Sequence, residues 1–331
     1  MYKLTIAVLT YNRSKYLQQM LDSILLQTYK DFSVIIYDNC SEDNTTDIVK
    51  PYLSDNRFTY HRHDSMVDNF NYALQNCDTD YLLIVHDDDT MRSNMAKEEI
   101  DILNSHSDIS MVWANMDQIN ANNEIIRTAV SSLPMNNKYT INPREYIKLF
   151  IKNGNMINCP TVMFRMSVIR ANNLYFRNNV GSSRDCFMWL ELNQLNYKFY
   201  YINNVLYNYR IHENQDSTNT LNMVPLLRKP FYDLLVKNNY SRFIISSWLH
   251  YIDKEIIYII RRQKDIKKSY EEIKNMILFN DKKDISLRLK IYLLINFPSL
   301  LNMKLLLIKK INSLIPKSIK NIIKKFITIR I

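Results

Sequence analysis

Five consecutive apolar residues, Tyr81 to Val85, run straight into His86-Asp87-Asp88-Asp89. A strand with no alternating polar positions needs cover on both faces, as in a parallel sheet flanked by helices. Three successive carboxylates repel one another and gain nothing from a core, so the sheet must reach an edge at this point. The rest of the first half fits that frame. Leu4 to Leu9, Ser33 to Tyr37 and Phe58 to His61 read as further strands. Between them, Leu17, Met20, Leu21, Ile24 and Leu25 recur at helical spacing behind an N-cap at Ser14. Ile48, Val49, Tyr52 and Leu53 mark a second helix, and Val67, Phe70 and Leu74 a third. The alternation predicts an α/β sheet with helices on its faces.

Further on, Met111 to Ala114 and Thr161 to Arg165 read as strands and Pro143 to Ile151 as a helix. Tyr197 to Ile202 and Tyr207 to Ile211 read as two more strands, after a helix that starts near Asp185. Beyond residue 216 the composition turns to Leu, Ile, Lys and Asn at helical spacing, which predicts a ligand-binding α/β domain over 1–216 and a basic helical region over 217–331. The net charge of +10 belongs to that second region, where twelve lysines and arginines follow Asp281 against the single acid Asp284. The body before it is close to neutral.

Several classes are excluded. Cys40, Cys77, Cys159 and Cys186 form no C-x-x-C pair and suit neither a disulfide frame nor a structural zinc. The first apolar run is too short for a signal peptide, and no stretch reaches the roughly 18 apolar residues of a bilayer span. The expected location is the cytoplasm. Gly154 and Gly181 are the only glycines, so neither a G-x-G-x-x-G turn nor a phosphate-binding P-loop exists.

In open α/β sheets ligands sit beyond the carboxyl ends of the strands, where Thr10, Asp38 and the acidic run collect. Hard cations such as Mg²⁺ and Mn²⁺ take oxygen ligands and bridge a carboxylate to a diphosphate. If the extended geometry continues, Asp87 and Asp89 share one side and Asp88 points to the other. The competing reading is an acidic turn that caps a helix after Thr90.

The order of these motifs resembles the family 2 glycosyltransferases of GT-A fold. One strand ends in Thr10-Tyr11-Asn12-Arg13, the next at Asp38 with Ser41 behind it, and a later one in Asp87-x-Asp89. Downstream, Arg184-Asp185 before a helix is similar to the family's acidic pair, with Arg184 in place of the first acid. Tyr209-Arg210-Ile211-His212, followed by Ser217, is similar to its Y-R-x-H…S segment. The resemblance covers roughly residues 3 to 217. It implies a mixed sheet flanked by helices, with Thr10, Tyr11, Arg13 and Asp38 at the nucleotide and Asp38 accepting from the base ring. It places Asp87 or Asp88 near the ribose, makes Asp89 the main ligand of a divalent metal (Mn or Mg), and brings His212 to the metal and diphosphate. Asp185 becomes the general base of an inverting transfer from a nucleoside-diphosphate sugar, a UDP-sugar first among them, to a glycan or lipid-linked acceptor. Asn39 stands where a second acid is common, and the Q-x-x-R-W signature of processive synthases is missing, so the resemblance implies single-sugar addition in surface-polysaccharide synthesis. A non-catalytic glycan- or nucleotide-binding protein on the same fold is the alternative.

In the tail, Ile315, Ile319, Ile322, Ile323 and Phe326 share one helical face, and Lys317, Lys320, Asn321 and Lys324 the other. Such a helix suits an anionic membrane surface at the inner face of the cell membrane, or closes the C-terminal region with a solvated lysine face. With few aromatics and no nucleic-acid motif in the tail, no nucleic-acid partner is expected.

Overall fold

The computed structural model describes residues 2–130, 140–212, 220–263, 265–277 and 285–296. Its first half alternates as expected: β1 (Leu4–Thr10), α1 (Ser14–Leu25), β2 (Phe32–Asp38), α2 (Thr45–Val49), β3 (Phe58–Arg62), α3 (Asn69–Asn76) and β4 (Tyr81–His86). There follow β5 (Thr90–Met91), α4 (Met95–Ser105), β6 (Ile109–Ile119), β7 (Ile125–Arg127), β8 (Thr140–Ile141), α5 (Tyr146–Asn153), β9 (Val162–Arg165), α6 (Met166–Ala171), α7 (Arg184–Leu192) and β10 (Lys198–Arg210). Four helices close the described chain: α8 (Thr220–Lys237), α9 (Arg242–Arg261), α10 (Ile266–Ile277) and α11 (Ile285–Asn296).

The strands form one mixed sheet in the order β3-β2-β1-β4-β9-β6-β10-β5, with β7 beside β6 and β8 beside β10. β3, β2, β1 and β4 run parallel, and β9 is antiparallel to both β4 and β6. Leu4, Ile6 and Val8 of β1 and Leu83 and Val85 of β4 are fully buried, as strands covered on both faces must be. The α1 stripe of Leu17, Met20, Leu21 and Ile24 packs into the same core. The two strands expected around residues 197 to 211 are the single β10, whose pairing with β6 slips between Ile202 and Tyr207. That irregularity interrupts the alternating pattern and makes one strand read as two.

The chain forms two compact units, Met1–Asn219 with Pro230–Trp248, and Thr220–Lys229 with Leu249–Ile331. Residues 230–248 join the first because Phe231 stacks on Trp248 at 4.4 Å and both rings meet Phe150, at 5.6 and 5.8 Å. In the second unit, Ile252, Ile256 and Ile260 are buried, and Arg228 donates to Asp253 at 2.7 Å. No helix among the described residues is long and apolar enough to cross a membrane. The basic amphipathic segment 315–326 lies outside the described residues.

Ser14 is not the N-cap of α1; Arg13 holds that position and makes no side-chain cap. Asp43 does the work from the loop before α2. Its Oδ2 accepts the Ser14 N–H at 2.9 Å, and its Oδ1 accepts from the Thr45 N–H at 3.1 Å and the Thr45 hydroxyl at 2.5 Å. One carboxylate therefore serves the starts of two helices. Asp43→Ala should lower stability by about 1–2 kcal/mol, read as a drop in urea midpoint. Asp43→Asn should recover only about half of it, because its one amide oxygen can accept at one helix start and not at both.

Candidate active site

The register Thr10↔Asp38 and Leu9↔His86 brings the ends of β2, β1 and β4 level. Strand order reverses there, with β2 and β3 on one side of β1 and β4 on the other, which opens a crevice at the carboxyl edge. The loops after β1 and β2 interlock across it. Asn12, in the left-handed region at φ 52°, donates its N–H to Ser41 Oγ at 2.9 Å and accepts the Glu42 N–H on its side chain at 2.8 Å. Asn tolerates that backbone better than most residues, so the turn forms without glycine. Tyr11, 48% exposed, stands over the edge.

β4 stops at His86, and the acids lie in a turn rather than along a strand. The side-chain grouping expected from alternation therefore does not hold. Asp87 faces the β1 loop, accepting the Tyr11 N–H at 3.3 Å and Arg13 Nη1 at 3.3 Å. His86, Asp88 and Asp89 gather instead, with one candidate ligand atom from each within 4.8 Å of the others. The helix-cap alternative also fails, because α4 starts only at Met95, with Asn94 at its N-cap.

Each acid is held differently. Burial raises the Asp87 carboxyl to about 7 against the pull of Arg13. Asp88 is also desolvated, yet His86, Arg13 and His212 hold it below the usual carboxylate range; Arg13 Nη1 lies at 2.9 Å and His212 Nε2 at 2.8 Å from its Oδ2. Asp89 is fully buried, and burial together with the charge of Asp88 drives its carboxyl well up. Its Oδ1 accepts the Arg210 N–H at 2.7 Å, while its Oδ2 is buried with no well-formed hydrogen bond, the Tyr207 hydroxyl standing beside the carboxyl. At an effective dielectric of about 20, two carboxylates ~5 Å apart repel by roughly 3 kcal/mol, more than a surface ion pair returns. A divalent cation fits this donor set of Asp89, Asp88 and His86, and His212 bonds to Asp88 beside it.

Arg210 was not expected to matter so much. Wholly buried, it donates Nε to Asp88 O at 2.6 Å, Nη1 to Asn120 O at 3.0 Å and Nη2 to Gln19 Oε1 at 2.8 Å. The Tyr-Arg-x-His spelling contained it, and His86 stood at the head of the acidic run. Residues 213–217, the rest of that segment, lie outside the described residues.

Asp38 is placed at the crevice but is fully buried. Its Oδ1 accepts the Ser41 N–H at 2.8 Å and its Oδ2 accepts the Tyr60 hydroxyl at 2.5 Å. In this arrangement it shapes the loop after β2, and a base ring would have to displace or share those partners to reach it. Asp185 is the second residue of α7, its Oδ1 accepting the Cys186 N–H at 2.7 Å. Burial raises its carboxyl to about 6 against that bond and the Arg184 charge. Between α7 and the acidic turn stands Phe70, its ring 6.1 Å from the His86 ring and 5.1 Å from the Arg184 guanidinium.

The model of Glycosyl transferase family 2 matches residues 5–171. The chain is 28% identical over 265 residues to the O-antigen biosynthesis glycosyltransferase WbnJ of Escherichia coli, covering 77% of this chain and 96% of WbnJ. It is 24% identical over 198 residues to the poly(ribitol-phosphate) beta-N-acetylglucosaminyltransferase TarS of Staphylococcus aureus, covering 56% of this chain and 31% of TarS. The match thus spans under a third of that relative's length. Among solved structures, S. aureus TarS 1-349 in complex with UDP-GlcNAc superposes with a TM-score of 0.58 at 16% identity, covering 87% of this chain and 79% of that one. The mannosyltransferase PcManGT of Pyrobaculum calidifontis, in complex with GDP-Man and Mn²⁺, gives 0.55 at 13% identity, covering 88% and 85%.

The Asp89 carboxyl sets a test that needs no substrate. Saturating Mn²⁺ at about 100 times its Kd should stabilise the wild type by ~2.7 kcal/mol, read by thermal unfolding. Asp89→Asn should lose that gain while unfolding no earlier without metal, since the amide oxygen can still accept the Arg210 N–H.

Proposed function

The chain belongs to glycosyl transferase family 2 and is a glycosyltransferase of GT-A fold, and on that basis we propose that it is an inverting, metal-dependent, non-processive enzyme. Its donor is a nucleoside-diphosphate sugar, a UDP-sugar first among the candidates, and its acceptor a hydroxyl of a glycan or lipid-linked saccharide in surface-polysaccharide synthesis. The observation that carries this reading is the buried, unsatisfied Asp89 oxygen beside His86 and Asp88, at the sheet edge where a nucleotide diphosphate would lie.

Asp89 and His212 are the assigned ligands of Mn²⁺ or Mg²⁺, with His86 and Asp88 completing the donor set. The bound cation would supply positive charge to the diphosphate leaving group. Thr10, Tyr11, Arg13, Asp87 and Asp88 border the nucleotide, and Arg13 bridges the β1 loop to the acids. Asp38 contributes through the loop it holds, with Asn39 behind it.

Asp185 removes the proton from the acceptor hydroxyl as that oxygen attacks the anomeric carbon. The bond from that carbon to the diphosphate oxygen breaks on the opposite face, and the nucleoside diphosphate leaves with the electron pair. A carboxyl raised to about 6 is a stronger base than a free one and is still ionised at neutral pH. The basic segment 315–326 is proposed to dock on an anionic membrane surface, close to a lipid-linked acceptor.

A thermal-shift screen of UDP-, GDP- and other sugar nucleotides, each with and without Mn²⁺, identifies the donor. With that donor, Asp185→Asn should lower kcat by about 10²–10⁴-fold and leave donor affinity within about twofold. Wild-type turnover in that variant would remove Asp185 from the mechanism. Wild-type kcat should fall as pH drops through about 6, because the base is lost on protonation. Deleting 315–331 should release the protein from phosphatidylserine-containing liposomes in a sedimentation assay; undiminished binding would remove the docking role.

A further inference from the structure

Five consecutive residues, Val67 to Asn71, join the nucleotide edge of the sheet to the helix that bears Asp185. The Asn39 side chain pairs with both backbone groups of Val67, donating to its O at 3.1 Å and accepting its N–H at 2.8 Å. Asp68 caps α3 and receives Arg184 Nη1 at 2.6 Å. Asn69 donates to Tyr37 O at 3.2 Å, next to Asp38. Phe70 fills the space between His86 and Arg184. Asn71 pairs with both backbone groups of Phe176, at 2.8 and 2.7 Å, on the segment that leads into α7.

The two positions where the sequence departs from its family's pattern meet here. Asn39, standing where the family resemblance implies a second acid, binds Val67, and Arg184, standing where it implies the first acid of a pair, binds Asp68. We propose that Asp68 and Arg184 are positioning residues that fix the Asp185 carboxylate against the bound donor, with α3 supplying the acid that α7 lacks. The inference rests on Asp185 being the general base.

The groups that face the Asp185 carboxyl are Arg184 and Cys186 of its own helix and Cys159 from the turn before β9. Burial pushes both thiols well up, so they stay neutral and Arg184 is the charged neighbour among them. Asp68 holds the Arg184 guanidinium at 2.6 Å. Without Asp68, Arg184 is free to swing onto Asp185 and bind it directly, which lowers its basicity and turns it from the acceptor. Without Arg184, the base loses a favourable charge and takes up a proton more readily.

The test uses the full chain and the sugar nucleotide that gives the largest Mn²⁺-dependent thermal shift. Asp68→Ser keeps an N-cap for α3 but removes the charge. It should lower kcat by about 10- to 100-fold, the usual penalty for a misplaced group, with donor Kd unchanged and the acid limb of kcat moved to lower pH. Arg184→Gln should move that limb to higher pH. Asp68→Glu should restore most of kcat and the wild-type limb. Wild-type kcat and an unmoved limb in both Asp68→Ser and Arg184→Gln, with lower Tm alone, would reduce the pair to a structural ion pair and overturn the proposal, provided Asp185→Asn is inactive. An active Asp185→Asn would instead remove the base assignment itself.

Discussion

Asp87, Asp88 and Asp89 crowd three carboxyl groups into the buried turn that follows one strand, and much of the surrounding structure serves to hold them there. Arg13 reaches two of them from the β1 loop, His212 meets one from beyond β10, and Arg210 fixes the turn through its own backbone and guanidinium. These partners come from residues up to 124 positions away in the chain. They compensate Asp88 well and Asp87 partly. Asp89 keeps an oxygen that none of them pairs, so the turn is not a finished salt-bridge network, and the proposed cation would complete it.

β1 and β4 were legible because they are apolar on both faces, and β2 and the edge strand β3 fell within a residue of their short β-type runs. The long β10 was not, because its slip against β6 breaks the alternation on which strand reading depends. The grouping of the acids was also hidden. Alternation describes an extended chain, and the chain stops being extended at His86, so the partner of Asp89 is the adjacent Asp88 and the nearby His86. Where a strand ends decides which side chains meet, and hydrophobic pattern fixes that end only loosely.

Asp38 shows a different limit. Its position at the end of β2 followed from the sequence, but its surroundings did not, because Tyr60 lies in β3 and register alone brings its hydroxyl to Asp38. A buried carboxylate that accepts from Ser41 and Tyr60 is well satisfied and gains little from a new ligand. In the proposed enzyme, nucleobase selection would depend on the loop that Asp38 shapes as well as on Asp38 itself.

Arg184 poses the opposite problem, since a cation beside a proposed base both helps and threatens it. Its charge favours the ionised carboxylate, but a direct ion pair would occupy the oxygen that must take a proton from the acceptor. Asp68 resolves the conflict by holding the guanidinium at one end while Phe70 packs beneath it. Arg184 can then act on Asp185 through space without capturing it. An acid on α3 thus compensates for the one missing from α7, and the same short segment is tied through Asn39 to the end of β2. Neither departure from the family pattern is interpretable by itself; their meeting at Val67 and Asp68 is what gives them a common physical role.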